Sequence, residues 1–430
     1  MKTKLLSLVL ASIMILAVLC APGLAEQVGE PFADLVYITL MNSKPEITAA
    51  LQAAADVFGA AYNVKIEVTE TSSPGDELAK RYNAGDAPTI SIVDIANVKD
   101  LAREGKICDL GDQPWAEVGG KEMGAVINDV LYGMPLTIEA KANLVNKTAI
   151  EKITGEAFDP LKYQTKADFE ALLQQLRAGG MENPVIINKE DWSIGSHFTQ
   201  YFYGIQDGTI AGAEAFIEKV RAGEAKFIDD PVFNACMDMF DLYMEYNINK
   251  QDPLSADYDL NASYLAEGEA AFWINGTWAW PNMAPFAQED QEYTIMHMPV
   301  DAGCQGKLLA QATKYIVLDK ANANEAQQEA AAKFLNWLVF TDEGNDAMIN
   351  GCDMVTAFTN ILLPPSNPFN VGLKQYIDAG LTCEAVTYLP SDHRSAVGGA
   401  NMQKYLDGSE TREELAAAFD AYWAEHEANR

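Results

Sequence analysis

The order of strand-like and helix-like segments near the N-terminal end constrains the fold of this 430-residue chain most strongly. Residues 35–40, 64–69 and 89–95 are apolar and strand-prone. Residues 46–58 and 76–82 lie between them and carry apolar side chains at helical spacing. Strands that alternate with helices predict parallel pairing with right-handed crossovers, and therefore an α/β fold.

Polar side chains follow the first and the third of these strands. Asn42 and Ser43 come just after residues 35–40, and Asp94 lies at the end of the third strand. Ligands of open parallel sheets bind outside the carboxyl ends of the strands. We therefore expect Asn42, Ser43 and Asp94 to face a ligand.

The remainder of the chain also mixes helices with strands. Helical patterns occupy residues 166–178, 211–222 and 231–246, and strand character returns at residues 270–274 and 314–318. A chain of this length, with 49% hydrophobic residues, is too long for one ordinary core. The pattern predicts an α/β protein of two lobes.

The N-terminus has the form of a secretion signal. Lys2 and Lys4 precede an apolar run, residues 5–19, that is too short for a membrane span. Small residues at Gly23 and Ala25 favour cleavage after Ala25. Lipidation of Cys20 is the alternative. The large side chain of the residue before it argues against lipidation, because lipoprotein signals have a small residue at that position. We expect an exported, soluble mature protein.

The charge and the cysteines exclude several classes of partner and site. A formal net charge of −32 repels phosphates, which argues against nucleic acid and anionic lipid as partners. The five cysteines after Cys20 are odd in number and widely spread, so they do not form a disulfide framework. Buried free thiols are favoured, and a Cys304–Cys352 pair is the candidate bridge.

Motifs of catalysis are missing from the sequence. No two of the four histidines have the i, i+4 spacing of a helical metal site, and no Cys-x-x-Cys pair occurs. Asp257 begins a calcium-like loop that lacks the required glycine and glutamate. A glycosidase carboxylate pair has no short signature that would mark it. We expect no catalytic site, no cofactor and no metal.

Aromatic residues crowd two short segments. Phe272, Trp273, Trp278 and Trp280 fall in one of them, and the other contains Trp192, Tyr201, Phe202 and Tyr203. A pyranose presents apolar C–H faces to an aromatic plane, and its hydroxyls need amides and carboxylates. Most aromatic residues of an α/β protein nevertheless lie in the core. Alternation along the strand should bury one of Phe272 and Trp273, whereas Trp278 follows the strand end, where binding clefts open.

The segment around Trp278 resembles a known family. Residues 267–280, EGEAAFWINGTWAW, are similar to the signature GE-AM-INGPWAW of the family 1 extracellular solute-binding proteins, especially the branch of maltose-binding proteins. Residues 134–147, MPLTIEAKANLVNK, match the family stretch YPIAVEALSLIYNK without a gap. Residues 333–344 resemble the family helix that ends in TDEG. The likeness covers nearly the whole mature chain.

This resemblance implies a type II periplasmic-binding-protein-like fold with two α/β lobes, hinge strands and a ligand cleft between the lobes. Residues 32–139 and 300–351 would form one lobe, and residues 140–299 and 352–430 would form the other. The lobes are expected to close around the ligand.

The resemblance also implies binding residues. Glu139, Tyr258 and Trp278 fall on sugar-binding positions of the family. Less direct alignment adds further candidate contacts, which are Asn42, Ser43, Asp94, Asn97, Trp192, His197 and Tyr201.

Two family tryptophans are replaced in this chain. One falls at Val93 or Asp94, and the other falls near His393, Arg394 or Ser395. Maltose itself is therefore not the expected ligand. Arg394 would suit an acidic sugar if it faced the cleft, and it is otherwise a surface arginine.

The resulting prediction is a non-enzymatic binding protein of an ABC importer. It would capture a sugar or oligosaccharide, as a monomer, and deliver it to transmembrane permease subunits. The alternatives are a secreted glycan hydrolase, a glycan adhesin, and a binding protein for a peptide or a polyamine.

Overall fold

A computed structural model describes residues 27–385, 389–390 and 392–426. The contacts divide the chain into two units. Unit 1 combines the described residues up to Thr137 with Ala312–Pro365, and unit 2 combines Ile138–Gln311 with the described residues from Ser366 onward. The predicted cleavage site and Cys20 lie outside the described residues.

The described residues form ten strands and fifteen α-helices. The strands are β1 (Val36–Asn42), β2 (Val64–Glu70), β3 (Ile90–Val93), β4 (Ala125–Ile127), β5 (Val130–Asn146), β6 (Val185–Ile187), β7 (Phe272–Gly276), β8 (Tyr293–Met296), β9 (Leu308–Leu318) and β10 (Thr382–Cys383). The helices are α1 (Thr48–Tyr62), α2 (Pro74–Ala84), α3 (Ile95–Arg103), α4 (Lys147–Thr154), α5 (Lys166–Ala178), α6 (Tyr201–Gly204), α7 (Ile210–Arg221), α8 (Pro231–Glu245), α9 (Tyr258–Glu267), α10 (Trp280–Met283), α11 (Glu325–Phe340), α12 (Asp342–Asp346), α13 (Pro368–Asp378), α14 (Gly399–Asp407) and α15 (Arg412–Glu425).

The strands of unit 1 confirm the predicted α/β order. Strand β1 pairs in parallel with β2 and β3, and β3 pairs antiparallel with β9. Helix α1 ends at Asn63, whose left-handed backbone (φ 57°) turns the chain into β2. The carboxyl ends of β1, β2 and β3 therefore lie along one edge of the sheet.

The core of unit 1 lies between the sheet and helices α1 and α11. Helix α11 begins with a capping box in which Asn324 and Gln327 each bond the other's backbone. Its buried face brings Phe334 to Phe58 of α1, with ring centroids 5.2 Å apart. Apolar burial of this kind is the main force that holds the helices on the sheet.

Unit 2 contains further strands of the mixed sheet and an aromatic core. Strand β5 pairs antiparallel with β7 and β8, and β6 pairs in parallel with β7. Phe202 contacts Phe233 and Phe419 at centroid distances of 4.9 and 5.6 Å. Trp423 donates a hydrogen bond of 3.0 Å to the hydroxyl of Tyr203, so Phe202 and Tyr203 belong to the core.

The prediction that only one of Phe272 and Trp273 is buried was wrong. Both residues are fully buried. Phe272 packs on Phe169 at 4.8 Å, while the Trp273 indole faces the other side of β7 and donates to Asn188 at 2.8 Å. Strand β7 is covered on both faces, so alternation along the strand does not separate inside from outside.

Two of the unit boundaries fall later in the chain than the sequence placed them, and one falls slightly earlier. Residues 300–311 belong to unit 2 because the first residues of β9, Leu308 and Leu309, pair with β10. Residues 352–365 belong to unit 1 because Met354 and Phe358 are buried in its core. The boundary expected at residue 139 falls after Thr137.

Among the helices of the described residues, none combines the length and the apolar content that crossing a bilayer requires.

Candidate functional site

Four partly exposed rings from three segments of unit 2 contact one another in a row. The Tyr258 ring lies 5.6 Å from Trp192, Trp192 lies 5.4 Å from His197, and His197 lies 4.6 Å from Trp278, measured between centroids. All three contacts are edge-to-face. We call Tyr258, Trp192, His197 and Trp278 the aromatic row.

Trp278 is positioned by the end of strand β7. The strand stops at Gly276, and a 3-10 turn (Thr277–Ala279) carries the indole back over that glycine. A Cβ at Gly276 would lie 2.1 Å from the Trp278 ring, so only glycine fits there. The Thr277 hydroxyl accepts a bond of 3.2 Å from the amide of Ala140 in β5, which anchors the turn. Trp278 therefore lies outside the core, partly exposed at a strand end.

Tyr258 and Trp192 are held at the starts of two helical segments. Tyr258 is the first residue of α9, which is N-capped by the Asp257 side chain. The Tyr258 hydroxyl accepts a bond of 3.0 Å from the side-chain amide of Asn275, and its ring packs on Trp273 at 5.0 Å. Trp192 directly precedes a π-type turn (Ser193–Phe198) that also carries His197. Helical turns at functional sites often take this wider form.

His197 contributes a neutral ring to the aromatic row. Its Nδ1 atom is buried and has no hydrogen-bond partner within the described part of the chain. Burial first, and then the charges of Lys141 and Arg394, hold its pKa well below the usual value. The imidazole is therefore uncharged at neutral pH and offers one donor and one acceptor nitrogen.

A small cavity of about 20 Å³ lies next to the aromatic row inside unit 2, and His197 belongs to both. Its polar lining includes Lys141, Asn143, Ser193 and Asn275. Lys141 is only 3% exposed, and burial lowers its pKa to about 8, opposed by the charge of Glu139. Among the described residues, no hydrogen bond or ion pair of the Lys141 ammonium group is formed. The space is comparable to that of one water molecule.

Glu139 lies two residues before Lys141 on β5 and is partly exposed. Six of the seven predicted site residues that lie in unit 2 are connected by ring contacts or by their charges. These six are Glu139, Trp192, His197, Tyr258, Trp278 and, through its charge on His197, Arg394.

Tyr201 occupies a different position from the rings of the aromatic row. It is 5% exposed, and its hydroxyl donates a bond of 2.9 Å to the Lys141 carbonyl. Tyr201 therefore supports β5 from within the core rather than presenting a surface to a ligand.

Arg394 and His393, near the C-terminal end, differ in exposure. Arg394 is half exposed, and its Nε lies 3.5 Å from a carboxylate oxygen of Asp191. His393 is 2% exposed, and its Nε2 shares a hydrogen bond of 2.9 Å with the Tyr203 hydroxyl. His393 is thus a core residue and does not replace a family ring at a binding surface.

In unit 1, Asp94 and Asn97 lie at the carboxyl edge of the sheet. Asp94 is the N-cap residue of α3, yet its carboxylate turns to Lys314 Nζ, 2.8 Å away, in a half-exposed ion pair. Asn97 lies on the first turn of α3. Its amide nitrogen is 3.0 Å from the point at which a Cβ on Gly75 in α2 would lie. Both positions agree with the edge predicted for ligand contacts in this unit.

Asn42 and Ser43 do not expose their side chains at that edge. Asn42 is fully buried, and its amide donates to the Lys44 carbonyl (2.7 Å) and to the Thr48 hydroxyl (2.9 Å). Its Oδ1 accepts from the Lys44 amide at 2.9 Å. These bonds use the side chain to shape the turn from β1 to α1, which argues against a ligand contact. Ser43 is 8% exposed, and its hydroxyl has no partner among the described residues.

Asn42→Ala is expected to lower the free energy of unfolding by about 2–4 kcal/mol, since three buried hydrogen bonds are lost together. Asn350→Ala in the same unit is the control, because its exposed amide makes one surface bond to Asp346. Urea unfolding measures both variants. A loss for Asn42→Ala no larger than the control's would contradict the structural role.

Sequence reasoning missed Lys141 and Asn143. Both are nearly fully buried, although strand patterning gave no reason to single them out. A signal was present in the family stretch: the gap-free match sets Lys141 and Asn143 against leucines. Two polar residues in place of two apolar ones mark the cavity.

Comparison with known proteins places the fold in a family. The model of bacterial extracellular solute-binding proteins matches residues 53–370. Comparison with curated protein sequences gives no match.

Several solved structures share the fold at low sequence identity. RafE in complex with raffinose has a TM-score of 0.74 and 18% identity, over 90% of this chain and 99% of that one. A family 1 extracellular solute-binding protein from Bifidobacterium longum subsp. infantis has a TM-score of 0.65 and 18% identity, over 92% and 100%. A manno-oligosaccharide-specific binding protein, BlMnBP2 from Bifidobacterium animalis subsp. lactis with mannotriose, has a TM-score of 0.60 and 16% identity, over 91% and 94%.

These matches confirm the two-lobe periplasmic-binding-protein-like α/β fold and the predicted resemblance. The members of this family are binding proteins rather than enzymes. Because its model matches well over half of the sequence, the chain belongs to the bacterial extracellular solute-binding proteins.

Proposed function

We propose that this protein is the substrate-binding component of an ABC importer, which captures a sugar or oligosaccharide and delivers it to a membrane permease. The observation that carries the proposal is the aromatic row, a set of four partly exposed rings that unit 2 assembles from three distant segments. Partly exposed Trp and Tyr rings that contact one another suit recognition, because each combines an apolar face with a polar group.

The chemistry of the aromatic row suits a pyranose. The Trp278 indole is one of two partly exposed indoles of the row and can support the apolar C–H face of a ring. Hydroxyl groups around that ring need both donors and acceptors. The neutral His197 imidazole, the Tyr258 hydroxyl and the Glu139 carboxylate supply these within unit 2.

Unit 1 offers polar groups of its own at the carboxyl edge of its sheet. Asp94 is half exposed while paired with Lys314, so its second carboxylate oxygen can accept from a hydroxyl. Asn97 adds an amide on the neighbouring turn. We propose both as ligand contacts, and we leave Asn42 and Tyr201 out because their polar groups are engaged in the fold.

The comparisons support carbohydrate as the class of ligand. The structural neighbours include proteins crystallised with raffinose and with mannotriose. Both ligands are neutral oligosaccharides, whose recognition relies on ring stacking and hydroxyl hydrogen bonds.

We further propose that the protein acts without catalysis, as an exported monomer. No group of three or more His, Cys, Asp or Glu side chains suited to a metal occurs in the described ranges.

Cleavage after Ala25 would release the mature chain, and lipidation at Cys20 would tether it to the membrane instead. Mass spectrometry of the secreted and membrane fractions separates the two forms.

A thermal-shift screen of the mature protein tests the proposed ligand class. The panel contains raffinose, mannotriose and chitotriose, with a tripeptide and spermidine as the competing classes. An oligosaccharide at a hundred times its Kd should add about 2.7 kcal/mol of stability and raise the Tm by roughly 5–10 °C. Stabilisation by the peptide or by spermidine alone would contradict the proposal.

A further inference from the structure

Two cysteine thiols of unit 2 meet at a glycine. Cys304 lies in the loop before β9, and Cys383 ends β10. A Cβ built on Gly208 would lie 2.9 Å from the sulfur of Cys304 and 3.0 Å from the sulfur of Cys383. Both sulfurs are therefore within 3.0 Å of one point. Gly208 has a left-handed backbone (φ +85°), and the missing side chain leaves the space that the two sulfurs fill.

The backbone holds the two cysteines in place around residues 205–208. The Cys304 amide donates to the Ile205 carbonyl at 2.9 Å, and the Glu384 amide donates to the Gly208 carbonyl at 3.0 Å. Cys383 is also the ladder partner of Leu309 in β9. The segments that carry the two cysteines are thus bonded to the same loop, which keeps both sulfurs next to Gly208.

The surroundings of the pair differ between its two members. Cys304 is partly exposed, whereas Cys383 is 2% exposed. Burial, and then the charge and the hydrogen bond of the Cys304 thiol, raise the pKa of Cys383 to about 12. The thiols are consequently close enough to interact, and Cys304 is the one that a reagent in solvent can reach.

The other cysteines do not compete for either member of the pair. The Cys352 side chain, which the sequence suggested as the partner of Cys304, is buried in the core of unit 1. Cys236 is fully buried in the core of unit 2, and the Cys108 thiol is directed to the Asp319 carbonyl, 3.7 Å away, in unit 1. These positions argue against the Cys304–Cys352 bridge, which the sequence offered as an alternative to free thiols.

We propose that Cys304 and Cys383 form a disulfide bond in the protein outside the cell. Export of the chain, which follows from its family, supplies the oxidising surroundings that such bonds require. The oxidant is a small or protein-borne disulfide. The Cys304 thiolate attacks it and releases one thiolate, and the Cys383 thiolate then attacks the Cys304 sulfur and releases the second. Two protein thiols lose two protons and two electrons, and the oxidant becomes a dithiol.

The bond would join the loop before β9 to β10 across a long stretch of sequence. A bridge over a loop of this length restricts the unfolded chain and raises the Tm, by roughly 5–10 °C for a domain of this size. Because the resolving thiol, Cys383, has a raised pKa, oxidation should be slow at neutral pH and faster as the pH rises.

Peptide mass mapping of the mature protein tests the bond. The protein is incubated with oxidised glutathione, blocked, and digested without reduction. The expected result is a cross-linked pair of peptides that contain Cys304 and Cys383. Five free thiols after this treatment, or a cross-link between other cysteines, would overturn the proposal.

Variants provide the matched comparison. Cys304→Ser should abolish the rise of Tm on oxidation, and Cys108→Ser should retain it. Mapping of the unmodified sequence decides the question even if Cys304→Ser fails to fold. An oxidation-dependent rise of Tm that persists in Cys304→Ser would also overturn the assignment.

Discussion

Trp278→Ala should weaken binding of the oligosaccharide identified in the thermal-shift screen by at least tenfold. An aromatic platform contributes about 0.5–1.5 kcal/mol beyond the apolar area it buries, and the covered area adds a similar amount. A tenfold loss corresponds to about 1.4 kcal/mol. Because Trp278 is partly exposed and lies outside the unit 2 core, its removal should leave the fold intact. Isothermal titration calorimetry measures the affinity directly.

Two further variants show whether the loss comes from the ring. Trp278→Phe keeps a smaller aromatic plane and should recover part of the affinity. Tyr37→Ala removes an aromatic side chain that is 60% exposed on β1 of unit 1, and it should change nothing. Equal affinities of Trp278→Ala and the unmodified protein would remove the aromatic row from the binding site.

The strand order and the family were accessible from the sequence because both depend on local information. Apolar period and segment length set β1 to β3 and the helices between them, and the parallel pairing follows from that order. The match around Trp278 was specific because it fixes a strand end, Gly276 and the ring above it at once. A ring that packs over a glycine requires both residue types at a fixed spacing, and this spacing is visible in the sequence.

The hydrogen-bond partners of individual polar side chains were not accessible in the same way. Asn42 follows a strand, as a ligand-binding amide would, but its bonds to Lys44 and Thr48 close a local turn. A sequence does not distinguish these two uses of one amide. The same holds for Tyr201, whose hydroxyl finds the Lys141 carbonyl sixty positions away.

Lys141 shows why burial in a central strand is hard to anticipate. Strand β5 pairs with β7 and β8 in unit 2, and Lys141 is buried there although Glu139, two residues earlier on the same strand, is partly exposed. The lysine is fully enclosed without a bonded partner among the described residues, and its pKa falls to about 8 from an ordinary value near 10.5. The folded protein therefore holds this proton less tightly than the unfolded chain does.

Such a depressed pKa fixes the direction of the pH dependence. Between about pH 8 and pH 10.5 the unfolded chain keeps the proton while the folded chain has lost it. Stability from this group accordingly rises as the pH increases through that window, and the full penalty of the buried charge applies below about pH 8. The difference in pKa corresponds to about 3 kcal/mol.

Lys141→Met should consequently stabilise the protein at pH 7 by up to about 3 kcal/mol, since a side chain of similar length replaces a buried charge that Glu139 offsets only in part. A rise of this size would raise the Tm by roughly 6–10 °C. The variant should also lose the gain in stability that the unmodified protein shows between pH 8 and pH 10.5. Lys65→Met, at an exposed position on β2, is the matched control and should shift neither the Tm nor the pH profile appreciably. Thermal unfolding across this pH range measures all three proteins, and parallel profiles for the unmodified protein and Lys141→Met would mean that the charge at position 141 is compensated in the folded state.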